Sequence, residues 1–262
     1  MSEVRLEPAG ADGIATLVLD NPGKLNAIDI GMWRALRDHA RALQALPEDA
    51  APRAVVVRGA GGEFAAGGDI AEFLDFRFDE ARLRDFHEGI VGPALEALQA
   101  LPQPVYAQID GACIGGGLEI AACCDLRVCA ASSRFGAPIA RLGFPMAPGE
   151  LQLVARIAPD AVLREMLLEA RLLGADDALR HGLVHAVVPD GQVAAAVRER
   201  IARLDGLSPQ ALRLNKRTLA QIARGGPTPA ERHAHYAYAD SPEHREGIAA
   251  FVAKRRPVFR PG

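Results

Sequence analysis

An α/β fold is predicted by three features of the chain. Short apolar runs of strand length alternate with segments of helical period, glycine-rich loops follow directly after two of those runs, and the pattern turns mostly helical only beyond Gly149. At 262 residues the chain is long enough to bury a large core without disulfides or metals.

Each element has a local cause. "VRLEP" and "IATLVLD" flank the turn-forming "AGADG" and predict a hairpin, and "GMWRALRDHARAL" then places Trp33, Leu36, Ala40 and Leu43 at helical spacing. "RAVVVRG" reads as a short buried strand, followed by a glycine-rich loop and a long helix from about Asp79 to Ala100 that Pro102 stops. "VYAQID" is a strand, "GACIGGG" a glycine turn, "LEIAACC" a buried helix and "LRVCA" a strand again. "ELQLVARI", "AVLREMLLEA" and "ADDALRHG" read as helices leading to a last strand, "LVHAVV", which ends at Pro189. Only helices are expected after that, two of them started by Ser208-Pro209 and Ser241-Pro242, where a capping hydroxyl precedes a proline at the first helical position. A boundary near Val193 divides a core, residues 1–192, from a helical region, residues 193–262, too thin to bury itself alone.

Composition narrows the function classes. Thirty Lys+Arg against 33 Asp+Glu, 49% apolar and 24% charged residues are ordinary globular values, and only three basic residues are lysines. Nucleic-acid binding lacks its clustered positive charge, and no uncharged run reaches the roughly 18 residues a membrane span requires. With no signal-peptide pattern in "MSEVRLEPAGADG", a soluble, cytoplasmic protein is expected. Cys113, Cys123, Cys124 and Cys129 lack paired spacing and read as buried, reduced thiols.

Two loops carry chemistry. "GAGGEFAAGGDIAEF" begins like a dinucleotide loop, but Phe64 stands where a third glycine belongs and no Walker lysine is present. What it offers is exposed backbone N–H around Gly67 and Gly68, although from this segment alone a plain turn is the better reading. "DGACIGGGLEIAACCDL" places free N–H groups and a helix N-terminus together, and Glu119 is its sole charge between Ala112 and Cys124. A carboxylate there serves either the helix terminus or acid/base work. His181 and His185 are separated by a helix-breaking Gly182, "HAHY" and the "HE" at His87 lack a complete metal pattern, and no GxSxG is present, so no metal site or nucleophile elbow is expected.

Taken together, "FAAGGD" and "GGGLE" resemble the crotonase (enoyl-CoA hydratase/isomerase) superfamily over nearly the whole chain. The resemblance implies a β-β-α spiral core, a C-terminal helical trimerisation region, and trimers or dimers of trimers. It also implies a coenzyme A thioester as substrate, with no cofactor, its carbonyl held between the N–H groups of Gly68 and Gly116. Ala66, Asp69 and Ile70, which flank the first of these, and Ile139 are expected among the residues that bind the substrate. By the same resemblance "NPGKLNAI" brings Lys24 and Leu25 to the CoA nucleotide, and "REGIAAFVAKRRPVF" brings Phe251 and Lys254 near CoA. Glu119 matches one of the two hydratase glutamates; the position of the second is Ile139, whose side chain cannot activate water. Glu150, on the next helix, is ordinarily explained by the helix dipole, with a role as second acid the alternative. Arg141 is a candidate for pairing a substrate carboxylate. Hydration of a 2-enoyl-CoA, a lyase reaction of fatty acid metabolism, is the expected activity. Isomerisation, decarboxylation, thioester hydrolysis and non-catalytic acyl-CoA binding stay open because of Ile139. An RNA-binding relative would show a lysine-rich helix, which the mixed-charge segment after Gly31 is not. Phe73, Leu74 and Phe76 suggest an apolar wall for the acyl group.

Overall fold

The computed structural model describes residues 1–259, so the last positions of the expected helical region, 260–262, lie outside the described residues. Two compact units divide the chain: residues 1–101 with 105–197, and residues 102–104 with everything from Arg198 onward.

The first unit opens with the hairpin of β1 (Glu3–Glu7) and β2 (Ile14–Asp20), paired antiparallel from Glu3 opposite Asp20 to Glu7 opposite Thr16. Helix α1 (Ile30–Gln44) starts where Asp29 accepts a hydrogen bond from the Met32 N–H, and it buries Met32, Trp33, Leu36, Ala40 and Leu43 on one face. Strand β3 (Ala54–Gly59) lies parallel to β2. A 3₁₀ turn (Ile70–Glu72) and two short helices, α2 (Phe73–Phe76) and α3 (Glu80–Arg84), follow.

The long helix expected from Asp79 to Ala100 is interrupted. Between α3 and α4 (Gly92–Gln99) the segment Asp85–Val91 is π-helical, and the Gly92 N–H reaches back five residues to the His87 carbonyl. Pro93 explains the widening, since it has no N–H to offer the Gly89 carbonyl and its ring crowds that oxygen.

Strands β4 (Val105–Ile109) and β5 (Ala112–Ile114) come next, then α5 (Gly116–Cys123), β6 (Leu126–Ala130) and β7 (Arg134–Gly136). A 3₁₀ turn (Pro138–Leu142) leads to α6 (Pro148–Val154), α7 (Asp160–Leu168), β8 (Leu173–Gly174), α8 (Ala175–Arg180) and β9 (Ala186–Val188). Among the described residues one sheet runs β1-β2-β3-β4-β6-β9, parallel after the hairpin, and a smaller one runs β5-β7-β8. Part of the expected glycine turn is thus strand β5, because Ala112–Ile114 finds a parallel partner in β7 that local sequence cannot announce.

The core between sheet and helices holds Leu17, Leu19, Trp33, Leu36, Phe64, Leu98 and Phe135 at 2% exposure or less. Buried Arg127 is spent on structure: it donates to the carbonyls of Leu183, Ala121 and Cys124, tying down the end of α5. All four cysteines are buried, and none of them is in a disulfide.

The second unit is helical. After α9 (Val193–Ala202) come α10 (Pro209–Ile222), α11 (Pro229–His235), a 3₁₀ turn (Tyr236–Asp240) and α12 (Pro242–Val252). Ser208, Thr228 and Ser241 cap three of these helices, each just before a proline. Leu219, Ile222, Ile248, Phe251 and Val252 are exposed. Among the described residues no helix is long and apolar enough to cross a membrane.

Candidate active site

Two loops of the first unit are bound into one backbone frame. The Phe64 N–H donates to the Asp110 carbonyl at 2.7 Å, the Ala65 N–H to Ala112 at 2.8 Å, and the Ile114 N–H returns to Ala65 at 3.0 Å. On the other side the Ala66 N–H donates to Leu25, the Asp69 N–H to Ile28, and Gly67 accepts from the Ile28 N–H. This accounts for the amides around Gly68, whose own N–H has no acceptor among the described residues. The N–H of Gly116, at the first helical position of α5, lies beyond the reach of intrahelical bonding. Both free N–H groups stand where the loops meet.

Glycine is required where the backbones touch. A Cβ on Gly117 would stand 2.5 Å from the Ala65 carbonyl oxygen, and Gly67 turns at φ +110°, a conformation that L side chains rarely adopt. The resulting pair of N–H donors, one at a helix N-terminus, suits a carbonyl oxygen that gains negative charge.

Beside the frame lies a set of ionisable groups among aromatic rings. Glu119, in the first turn of α5, accepts no hydrogen bond from a described residue. Burial raises its pKa to about 8; the charge of Glu150 adds to the rise and that of Arg77 opposes it. At neutral pH it is therefore an acid carrying its proton. Glu150, in the first turn of α6, is 4% exposed and lies 2.7 Å through Oε1 from Nδ1 of His87. His87 rides on the π-helical turn, its ring edge-on to Phe86.

The Arg77 guanidinium sits in the corner of two edge-on rings, 4.0 Å from the centroid of Phe73 and 3.8 Å from that of Phe144. Phe76 and Phe86 stack at 4.4 Å behind it. Phe73 and Phe76 thus face inward, whereas Leu74 of the expected apolar wall is exposed. Ile139 sits on the 3₁₀ turn Pro138–Leu142, partly buried against the core. No group of three or more His, Cys, Asp or Glu side chains is arranged to hold a metal among the described residues.

The other sequence-derived positions divide into two sets. Lys24 pairs with Asp69 at 2.6 Å, Asp69 caps the turn through the Ala71 N–H, and Leu25, at φ +49°, is exposed beside them. Ile70 is exposed as well, so Lys24, Leu25, Ala66, Gly68, Asp69 and Ile70 form one neighbourhood around the first loop. Phe251 and Lys254 belong to the second unit, where both are exposed. Arg141 is at the surface and donates to the Ala170 carbonyl at 3.3 Å.

Sequence reasoning missed Arg77 and His87. The only signal for Arg77 was a cation inside the aromatic run "FLDFRF", and His87 had none, because its partner lies 63 residues further along the chain.

The family model for enoyl-CoA hydratase/isomerase matches residues 9–261. The chain is 31% identical over 255 residues to a crotonyl-CoA hydratase of Syntrophomonas wolfei, covering 94% of both proteins. It is 30% identical over 254 residues to the mouse "Enoyl-CoA hydratase domain-containing protein 3, mitochondrial", covering 95% of this chain and 82% of that one. Among solved structures, an enoyl-CoA hydratase/carnithine racemase from Magnetospirillum magneticum superposes with a TM-score of 0.90 at 38% identity, covering 99% of this chain and 96% of the other. With the paired glycine loops and Glu119 in the arrangement described, the chain belongs to the enoyl-CoA hydratase/isomerase family of the crotonase superfamily.

Proposed function

We propose that this protein adds water across the double bond of a 2-enoyl-CoA thioester. The observation that carries the reading is a second buried carboxylate, Glu150, close enough to Glu119 to raise its pKa. Hydration needs an acid and a base, and this pair supplies both where Ile139 supplies neither. In the reaction the thioester oxygen sits between the N–H groups of Gly68 and Gly116. Glu150, held by His87, takes a proton from water as the water oxygen bonds to the β-carbon. The π electrons move toward the thioester oxygen, forming an enolate that the two N–H groups stabilise. Glu119 then gives its proton to the α-carbon, and the proton taken by Glu150 restores it through solvent. Every step is a proton transfer or an addition, so no cofactor enters.

Lys24 and Leu25, exposed beside the first loop, fit the CoA nucleotide; Phe251 and Lys254, exposed on the second unit, fit CoA bound by a neighbouring subunit. The exposed apolar side chains of α10 and α12 support assembly as a trimer or dimer of trimers.

Incubation with a panel of 2-enoyl-CoA thioesters, crotonyl-CoA and its carboxyl-bearing counterparts included, in ¹⁸O-labelled water tests the reading. Labelled 3-hydroxyacyl-CoA is expected, with Glu119→Gln and Glu150→Gln each lowering kcat by about 10²-fold or more. Absence of the product, or a Glu150→Gln variant as fast as the parent, overturns it. Ile139 favours one second reading, in which Glu119 works alone in double-bond isomerisation, decarboxylation or thioester hydrolysis, or the protein binds acyl-CoA without turnover. Isomerisation would give an unlabelled isomer and hydrolysis free CoA, while decarboxylation would release CO₂ only from a carboxyacyl-CoA.

A further inference from the structure

Arg77 reaches the pocket with its hydrogen-bonding capacity unspent. None of its guanidinium nitrogens bonds to a described residue, and its Nε is shielded from solvent with no partner. Burial lowers its pKa, the charges of Glu119 and Glu150 opposing that effect only in part. Neither carboxylate forms an ion pair with it: Glu150 is bonded to His87, and Glu119 accepts no hydrogen bond. The cation is half-buried and has no anionic hydrogen-bond partner among the described residues.

The geometry restricts what that partner is. Phe73 and Phe144, their centroids 5.9 Å apart and their planes at 76°, wall the guanidinium in a corner, and none of its N–H groups is bonded there. A guanidinium fork left unbonded in this way fits a planar, bidentate anion; a neutral carbonyl would leave the charge uncompensated. The position is also fixed relative to the chemistry. The Phe73 ring that stacks on Arg77 has its Cζ 2.9 Å from where a Cβ on Gly68 would stand, so Arg77 lies one ring away from the proposed thioester-oxygen site.

We infer that Arg77 receives a carboxylate at the far end of the acyl chain, and that the substrates are CoA monothioesters of dicarboxylic acids. This assignment rests on the reading of the pocket as an acyl-CoA site, but not on which reaction follows.

Binding rather than turnover tests it. Isothermal titration with succinyl-, glutaryl- and adipyl-CoA is set against butyryl-, valeryl- and hexanoyl-CoA of matched length. For at least one length the dicarboxylic thioester is expected to bind roughly tenfold or more tightly than its monocarboxylic counterpart. In Arg77→Met that ratio is expected to fall to about one. In Arg77→Lys, which keeps the charge but loses the planar fork, the ratio falls by about threefold or more, and this second variant serves if the first does not fold. A ratio near one in the parent at every length, or a ratio unchanged by both substitutions, overturns the proposal and leaves Arg77 serving only the two acids. If the ratio behaves as expected while no enoyl thioester is hydrated, the hydration reading alone fails.

Discussion

Replacing Glu119 by glutamine is expected to make the protein less active yet more stable, with the gain in stability growing as pH rises. Burial, reinforced by Glu150, lifts the carboxyl from its ordinary 4.5 to about 8. Between those limits the folded chain holds a proton that the unfolded chain has released. The contribution of Glu119 to folding therefore declines as pH climbs from 4.5 toward 8 and levels off above. At ~1.4 kcal/mol per pH unit the whole gap corresponds to about 5 kcal/mol. Glu119 retains partial exposure to the cleft, whose water screens the charge, so about 2–3 kcal/mol is the expected difference near pH 9. Glutamine has the same shape and no charge to desolvate, and so escapes the decline. Thermal unfolding of both proteins, side by side from about pH 5 to about pH 9, is expected to show the variant's advantage in Tm widening to roughly 5–10 °C and then holding constant. Two Tm curves running parallel across that range would refute the reasoning, because they would mean that Glu119 titrates alike in the folded and unfolded chains.

Two further expectations follow from packing. Gly117→Ala drives a methyl group to 2.5 Å from the Ala65 oxygen, and because both sides are backbone the loops must part. A loss of about 3 kcal/mol, at the upper end for overpacking, is expected in denaturant unfolding, together with loss of thioester binding; an alanine variant of parental stability would show that the contact is not tight. The four cysteines are buried, with burial holding the Cys113 and Cys123 thiols well above the ordinary range and that of Cys129 at about 12. A chromogenic disulfide reagent at pH 8 is therefore expected to find no fast-reacting thiol in the native protein and four after denaturation.

Much of the frame was legible because its causes are local. Asp29, Ser208 and Ser241 cap helices that the sequence marks with a hydroxyl or carboxylate before helical spacing, and Thr228-Pro229 carries the same mark with Glu231 completing a capping box. The glycine loops were legible because they follow strands directly and hold few side chains with other uses. What stayed hidden depends on distant pairing. Ala112–Ile114 becomes a strand only because Arg134–Gly136 lies beside it, and the π-helical turn is a response to Pro93 within a segment whose apolar spacing still suggests a plain helix. Glu150 looked like an ordinary first-turn carboxylate until its buried contact with His87 was in view. Arg77 was hidden for the same reason: Phe144, which closes one face of its guanidinium, is 67 positions away in the sequence.

The backbone frame joining Ala65 to Cys113 also sets how this site can be disabled. Where the groups that polarise a substrate are main-chain amides, truncating a side chain removes nothing from them, and a scan that shortens residues would report the loops as inert. Such a site fails only by addition: a methyl group on Gly116 would press to 3.0 Å from the Trp33 ring, and one on Gly117 against Ala65. The walls that carry Glu150, His87, Arg77 and Ile139 behave in the opposite way, since each of those side chains is exchangeable without touching the amides. One half of the site is thus closed to variation and the other open to it, so its chemistry can change by substitution while the pair of backbone N–H groups stays as it is.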